Sequence, residues 1–368
     1  MTIEQFLNLL FSLSLSGSII FCVWKAFSCL FQKLFTKRVH YYLLLIVLLR
    51  FLLPITAEYS LISTLYPAIE STSFYEMIFG IGNSASPIIV GENVVIGDNV
   101  VMGSVRTPID RYIFYFWLIV AFFLIVQKIT KYQSFIKYIK ADWTPVDDPE
   151  ILDILSTICE EKKITRPIEL YTTSLISSPL LLGVAKSSIV LPHVNLTSRQ
   201  LSHILSHELT HYKSKDLLYK WLMQLILCLH WFNPLIYFIN RTLNRECEYA
   251  CDEASTRFMT KEERYQYGMT LIEMTKHSGT YKEKTAAITL YENVNEIQTR
   301  LKVMLDSQKL RTQSSLLVAL ATILLIGCSL FTGAYDVFPR KQAESYPNSS
   351  QETPSSSQKT PGRQFYYK

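Results

Sequence analysis

The chain has 368 residues, of which 49% are hydrophobic and only 18% charged, with a formal net charge of +5. This composition is too apolar for an ordinary soluble enzyme and too poor in charge for a direct nucleic-acid binder, so it places the protein in a membrane. Seven cysteines, an odd number scattered through apolar or interior segments, argue against a disulfide framework.

Phe6 to Trp24 is a long apolar run preceded by Glu4 and by no basic residue, so it reads as a retained membrane helix and not as a signal peptide. Lys25, Lys33, Lys37 and Arg38 follow it. Tyr41 to Ile55 is a second, short apolar run that carries Arg50, which is costly in lipid unless it meets protein or snorkels to the surface. Thr56 to Asp110 is a loop with acidic excess. Within it Val90 to Gly103 repeats with period six, too briefly for a solenoid, and reads as strand-turn-strand.

A third apolar run, Tyr112 to Val126, opens at Arg111 and is closed by Lys128, Lys131, Lys137 and Lys140. A fourth, Ser315 to Tyr335, follows Arg300, Lys302, Lys309 and Arg311. Positive charge gathered after the first and third runs and before the fourth puts the N-terminus outside and residues 128–314 in the cytoplasm. Residues 336–368, rich in Ser, Pro, Gln and Thr, read as a disordered extracytoplasmic tail.

Between Asp142 and Pro192 the pattern predicts a helix over 148–162 and short strands over 168–172, 180–183 and 188–191. Either of the last two strands is a candidate for pairing with an extended peptide. Residues 261–311 read as helical.

The chemistry lies between Thr197 and Asp252. Thr197 with Gln200 forms a capping box, and Leu201, Ile204, Leu205 and Leu209 form an apolar stripe, so a helix starts here. On it His207, Glu208 and His211 make an HExxH pattern: two imidazoles one turn apart aim at one ion, with a carboxylate beside them as general base. A second helical segment offers Glu248 as third ligand and, four residues on, Asp252 as acceptor for a ligand imidazole. Three protein ligands leave a position for water, the arrangement of a zinc peptidase in which Glu208 takes the proton of the attacking water. Cys247 and Cys251 share a helical face and could ligate a metal, but His207, His211 and Glu248 already complete a site.

Leu217 to Asn240 is apolar enough to span a bilayer, about 36 Å as a single helix. One crossing would strand Glu248 on the side opposite His211. The segment must therefore return, as a hairpin broken at Asn233-Pro234 or as a helix packed on the domain, and Lys220 and His230 favour burial in protein.

HELTHYKSKD (207–216), His230 to Pro234, ECEYACDE (246–253), Ser178 to Gly183 and Ile189 to Pro192 together resemble the membrane-bound BlaR/MecR family of antirepressor metallopeptidases. The resemblance covers most of residues 1–335 and implies zinc ligands His207, His211 and Glu248 with Glu208 catalytic. It also implies relay of an external stimulus through the helices. Proteolysis would then remove a cytoplasmic repressor of the penicillinase-repressor type, with self-cleavage ahead of the fourth helix. The β-lactam sensors of that family carry a penicillin-binding domain after the last membrane helix, and this chain is expected to lack one.

The expected architecture is an integral membrane protein, mainly α, with about four transmembrane helices and a cytoplasmic α+β gluzincin-like zinc peptidase domain. Two spans and a basic loop occupy 1–55, an extracytoplasmic loop 56–110, a third span 111–127, the peptidase domain 128–314 with a membrane-associated segment 217–240, and a fourth span 315–335. The lipid bilayer and the repressor are the expected partners, and a homodimer stays open. Alternatives are a protease for membrane-protein quality control and a non-catalytic receptor stabilised by zinc. Ser356-Ser-Gln-Lys359 and Leu325-Ile-Gly-Cys328 mimic a penicillin-binding motif and a lipoprotein box, but lie in a low-complexity tail and inside an apolar helix.

Overall fold

The computed structural model describes residues 1–32, 34–55, 60–72, 95–96, 99–100, 109–183, 186–276, 294–306 and 315–334. Helix α1 (Ile3–Leu30) starts from Thr2, whose side chain accepts from Gln5 N while Gln5 returns the bond to Thr2 N, satisfying two donors that a helix end leaves open. Helix α2 (Lys37–Leu52) is capped by Thr36, and α3 (Leu61–Glu70) lies in the segment read as a loop. Strands β1 (Val95–Ile96) and β2 (Asn99–Val100) pair antiparallel, matching the strand-turn-strand reading at those four residues; the rest of the period-six stretch lies outside the described residues. Helix α4 (Ile109–Lys140) follows.

Among the described residues, three helices are long and apolar enough to cross a membrane: Ile3–Leu30, Asp110–Lys140 and α11 (Ser315–Thr332). The 16 residues of α2 reach about 24 Å, short of a hydrocarbon core of about 30 Å, and α2 is buried between its neighbours. Arg50 does not snorkel. It is 3% exposed, and its guanidinium donates to Ser16 Oγ at 2.5 Å, to Ile55 O at 2.6 Å and to Gly333 O, tying the ends of α2 and α11 to α1. Gly333, at φ +64, has no room for a Cβ beside Ser60.

The second body of structure is a small sheet with helices. Strands β3 (Thr144–Pro145), β4 (Glu169–Thr173), β5 (Leu180–Leu182) and β6 (Ser188–Pro192) lie in the order β3-β4-β6-β5, with β4 and β6 parallel and the other pairs antiparallel. Strand β6 is interior and buried along its length. Alternation puts Ile189 and Leu191 against α5 (Pro149–Glu161) and α6 (Ser198–Ser214), while Val190 meets Phe135 and Ile139 at the end of α4. The sheet is thus clamped between the end of a membrane-length helix and the HExxH helix. Leu205 and Leu209, both fully buried, seat α6 on it; each truncation to Ala would cost about 2–5 kcal/mol.

Residues 217–240 form a hairpin: α7 (Asp216–Leu229) and α8 (Pro234–Ser255), broken at 230–233. Asn233 caps α8 by accepting from Leu235 N at 2.9 Å, and Pro234 supplies the pre-set first helical position. Its Nδ2 also donates to Ser14 Oγ and Ser18 Oγ on α1, at 2.8 and 2.9 Å, which moors the turn to the first helix. Lys220 and His230 are buried, as the sequence suggests. Helix α10 (Val294–Asp306) packs on α8, and α9 (Lys261–Lys276) packs on α10 and α6.

Candidate metal centre

The capping box read from the sequence is present: Thr197 Oγ1 accepts from Gln200 N, and Gln200 Oε1 accepts from Thr197 N at 2.9 Å. Two turns on, His207, Glu208 and His211 are all buried. The helix ends at Lys215, a left-handed residue at φ 57 that starts α7 with no intervening loop and folds Asp216 back onto His211. A lysine in that conformation costs roughly 1–2 kcal/mol, and the Asp216 contact offsets it.

The hairpin brings α8 across α6. His207 Nε2 and His211 Nε2 lie 3.1 Å apart, and Glu248 Oε2 is 3.5 and 3.6 Å from them. Tetrahedral ligands at about 2.0–2.1 Å from an ion are separated by about 3.3 Å, so these three atoms have the spacing of one face of such a site. Each imidazole is turned that way by a bond on its other nitrogen. His211 Nδ1 donates to Asp216 Oδ2 at 2.6 Å; His207 Nδ1 donates to Tyr267 OH at 2.8 Å, and Tyr267 donates to Asp252 Oδ1 at 2.9 Å. Both rings therefore turn their Nε2 towards the same point.

Electrostatics agree. Burial is the largest influence on His207 and His211 and opposes a positive ring. Yet Cys251 with Tyr267 and Asp252 around His207, and Cys251 with Glu248 and Asp216 around His211, raise both well above the usual imidazole value. Burial likewise pushes Glu248 up, but His211, His207 and Lys220 hold it well below the carboxylate range. The pocket favours positive charge where the three donor atoms meet.

Two further donor sets lie in the same place, His207 with His211 and Cys251, and His211 with Asp216 and Cys247. Cys251 Sγ is 3.4 Å from His207 Nδ1 and Cys247 Sγ is 3.8 Å from His211 Nδ1, whereas the Nε2 atoms converge on Glu248. Glu248 Oε2 lies near both Nε2 atoms, while the two thiols lie nearer the Nδ1 atoms.

Asp252 Oδ1 is 3.5 Å from His207 Nδ1, and Tyr267 bridges the two. His203 is no ligand; its Nδ1 pairs with Thr270 Oγ1 at 3.0 Å. His230, Tyr212 and Tyr249 are of types that can stabilise an oxyanion; His230 Nε2 donates to Phe51 O, about 21 Å along α7 from Asp216, and Tyr249 lies under the Lys37 ammonium. Tyr212 is half-buried on α6. Asp216, Lys220, Tyr267 and Arg300 were missed as site residues. Only Asp216 had a signal, an acid one turn beyond the second histidine.

The peptide-pairing question raised by the two strands narrows here. Strand β6 has neighbours on both sides, while β5 is an edge and lies against α6. Gly183 ends β5 at φ +81, where a Cβ would collide with Lys186 O.

A family model described as BlaR1 peptidase M56 matches residues 8–304. The chain belongs to this family. Within M56 it is 26% identical over 336 residues to the regulatory protein BlaR1 of Bacillus licheniformis, covering 86% of this chain and 53% of that protein. It is 28% identical over 150 residues to the methicillin resistance mecR1 proteins of Staphylococcus aureus and Staphylococcus epidermidis, covering 39% of this chain and 26% of theirs. The chain therefore spans about half the length of the first relative and about a quarter of the others. M56 membership makes it a metallopeptidase homologue and fits its membrane-length helices.

Proposed function

We propose that this chain is a multi-pass, zinc-dependent metalloendopeptidase of the cell membrane that transduces a signal by proteolysis. The observation that carries the reading is the meeting of His207 Nε2, His211 Nε2 and Glu248 Oε2 on one point, with Glu208 on the same helix. Bound there, zinc would supply a water acidified towards neutrality and polarise a peptide carbonyl.

The protein's own residues do the rest. Glu208 takes the water's proton and returns it to the leaving amine. Asp216, and Asp252 through Tyr267, keep the Nδ1 protons of the two histidines in place, which leaves the Nε2 lone pairs for the metal. Strand β5 holds an extended substrate by backbone hydrogen bonds alongside α6.

We place the spans at α1, α4 and α11 and a short crossing at α2, sheltered from lipid by its neighbours, with the peptidase domain in the cytoplasm, because Lys and Arg cluster at those helix ends. By analogy with the relatives, the substrate is a cytoplasmic transcriptional repressor, with cleavage of the chain itself ahead of α11. The test compares the wild type with Glu208→Gln in membranes, mapping new protein termini by mass spectrometry. One repressor or self-cleavage product confined to the wild type supports the proposal. A broad set of membrane-protein fragments points to quality control, and identical termini overturn the peptidase reading.

A further inference from the structure

Helix α10 belongs to neither the HExxH helix nor the hairpin, yet it puts one side chain into the metal centre. Arg300 is 5% exposed. Its Nε donates to Asp252 Oδ2 at 2.7 Å and its Nη2 to Asp252 Oδ1 at 2.8 Å, two parallel bonds in the fork geometry that a guanidinium offers and an ammonium does not. The remaining nitrogen, Nη1, is 3.6 Å from Glu248 Oε2. Asp252 in turn accepts from Tyr267, which accepts from His207 Nδ1. Arg300 thus holds the far end of a relay that sets the plane of a ring whose other nitrogen faces the ligand cluster.

The placing of α10 has a second mark. Gly268 on α9 faces it, and a Cβ there would lie 2.7 Å from Leu301 Cδ2 and 3.1 Å from Met304 Cε. Glycine at 268 leaves the space between α9 and α10 that the ends of the Leu301 and Met304 side chains occupy. Residues 307–314 alone separate α10 from the apolar helix α11.

We propose that Arg300 is a positioning residue of the metal centre, and that its fork on Asp252 makes the competent site conditional on α10 being docked against α8 and α9. This rests on the metallopeptidase reading above. The sign of the effect separates positioning from charge. Arg300 is a cation close to a ligand carboxylate, so if its charge mattered most, removing it would tighten metal binding. If its geometry matters most, removal weakens binding by about 10–100-fold, the usual cost of losing a group that orients a ligand.

The experiment measures zinc affinity by chelator competition, and the visible spectrum of the cobalt-substituted protein, on the full chain in detergent. Arg300→Gln and Arg300→Lys are both expected to weaken zinc by about 10–100-fold and to change the cobalt bands, because lysine keeps the charge but lacks the fork. Unchanged or tighter binding in Arg300→Gln, or wild-type behaviour in Arg300→Lys, overturns the proposal. Gly268→Leu, which leaves every charged residue in place and wedges α10 from α9, is expected to weaken zinc at least tenfold. Wild-type affinity there overturns the docking condition, and this variant decides the matter should the Arg300 variants fail to fold. Glu208→Gln is the control: it should bind zinc normally and cleave nothing. If the wild type also cleaves nothing, the peptidase reading fails while the zinc affinities still judge Arg300.

Discussion

The Tyr41 hydroxyl, on the short apolar helix α2, donates to Asp216 at 2.9 Å, and Asp216 is the acceptor for His211 Nδ1. A residue of the membrane bundle is therefore one hydrogen bond removed from the group that orients a candidate metal ligand. Asp216→Ala should lower zinc affinity by about 10–100-fold. Tyr41→Phe, which removes only the outer bond, should cost about 0.5–1.5 kcal/mol and lower affinity several-fold. Chelator competition on the purified chain measures both, and equal affinities for Tyr41→Phe and wild type would remove the bundle from the site.

Metal removal should abolish proteolysis and added zinc should restore it. Within that experiment Glu248→Ala separates the two donor sets. With Glu248 as third ligand, its loss costs at least 10²-fold in activity, whereas Cys251→Ser stays within several-fold of wild type. The reverse order, measured as cleavage rate at saturating zinc, would move the third ligand to Cys251.

Pairing of substrate with β5 predicts sensitivity to the peptide backbone. N-methylation of one amide that faces the strand should raise KM roughly tenfold by removing a single hydrogen bond, while kcat changes less. A kinetic comparison of the methylated and parent peptides tests this, and equal KM at every methylated position would exclude β5 as the binding edge.

Asp142, just beyond α4, accepts from the Ser174 backbone N–H at 2.8 Å and from the hydroxyls of Ser174 and Thr173, which hold its carboxyl below the usual range. A depressed carboxylate contributes stability above its unfolded pKa, and that stability is lost as pH falls through the folded value. Asp142→Asn should therefore lower the melting temperature at neutral pH, and the gap from wild type should close on acidification below the ordinary aspartate range. A gap that widens in acid would reverse the assignment.

The sequence by itself determined the parts that depend on local order. The capping box at Thr197, the spacing of His207 and His211, the break at Asn233-Pro234 and the apolar runs all follow from turn-by-turn geometry, in which neighbours in space are three or four residues apart. The need for a returning hairpin was also legible, because Glu248 and His211 cannot share an ion from opposite sides of a bilayer. Only the tertiary structure decided what stands behind the ligands. Tyr267 and Arg300 reach Asp252 from 15 and 48 residues away, and Tyr41 reaches Asp216 across 175. Such partners leave no period in the sequence; they exist because α2, α7, α8, α9 and α10 pack around one buried cluster whose polar groups must each find a partner once water is excluded.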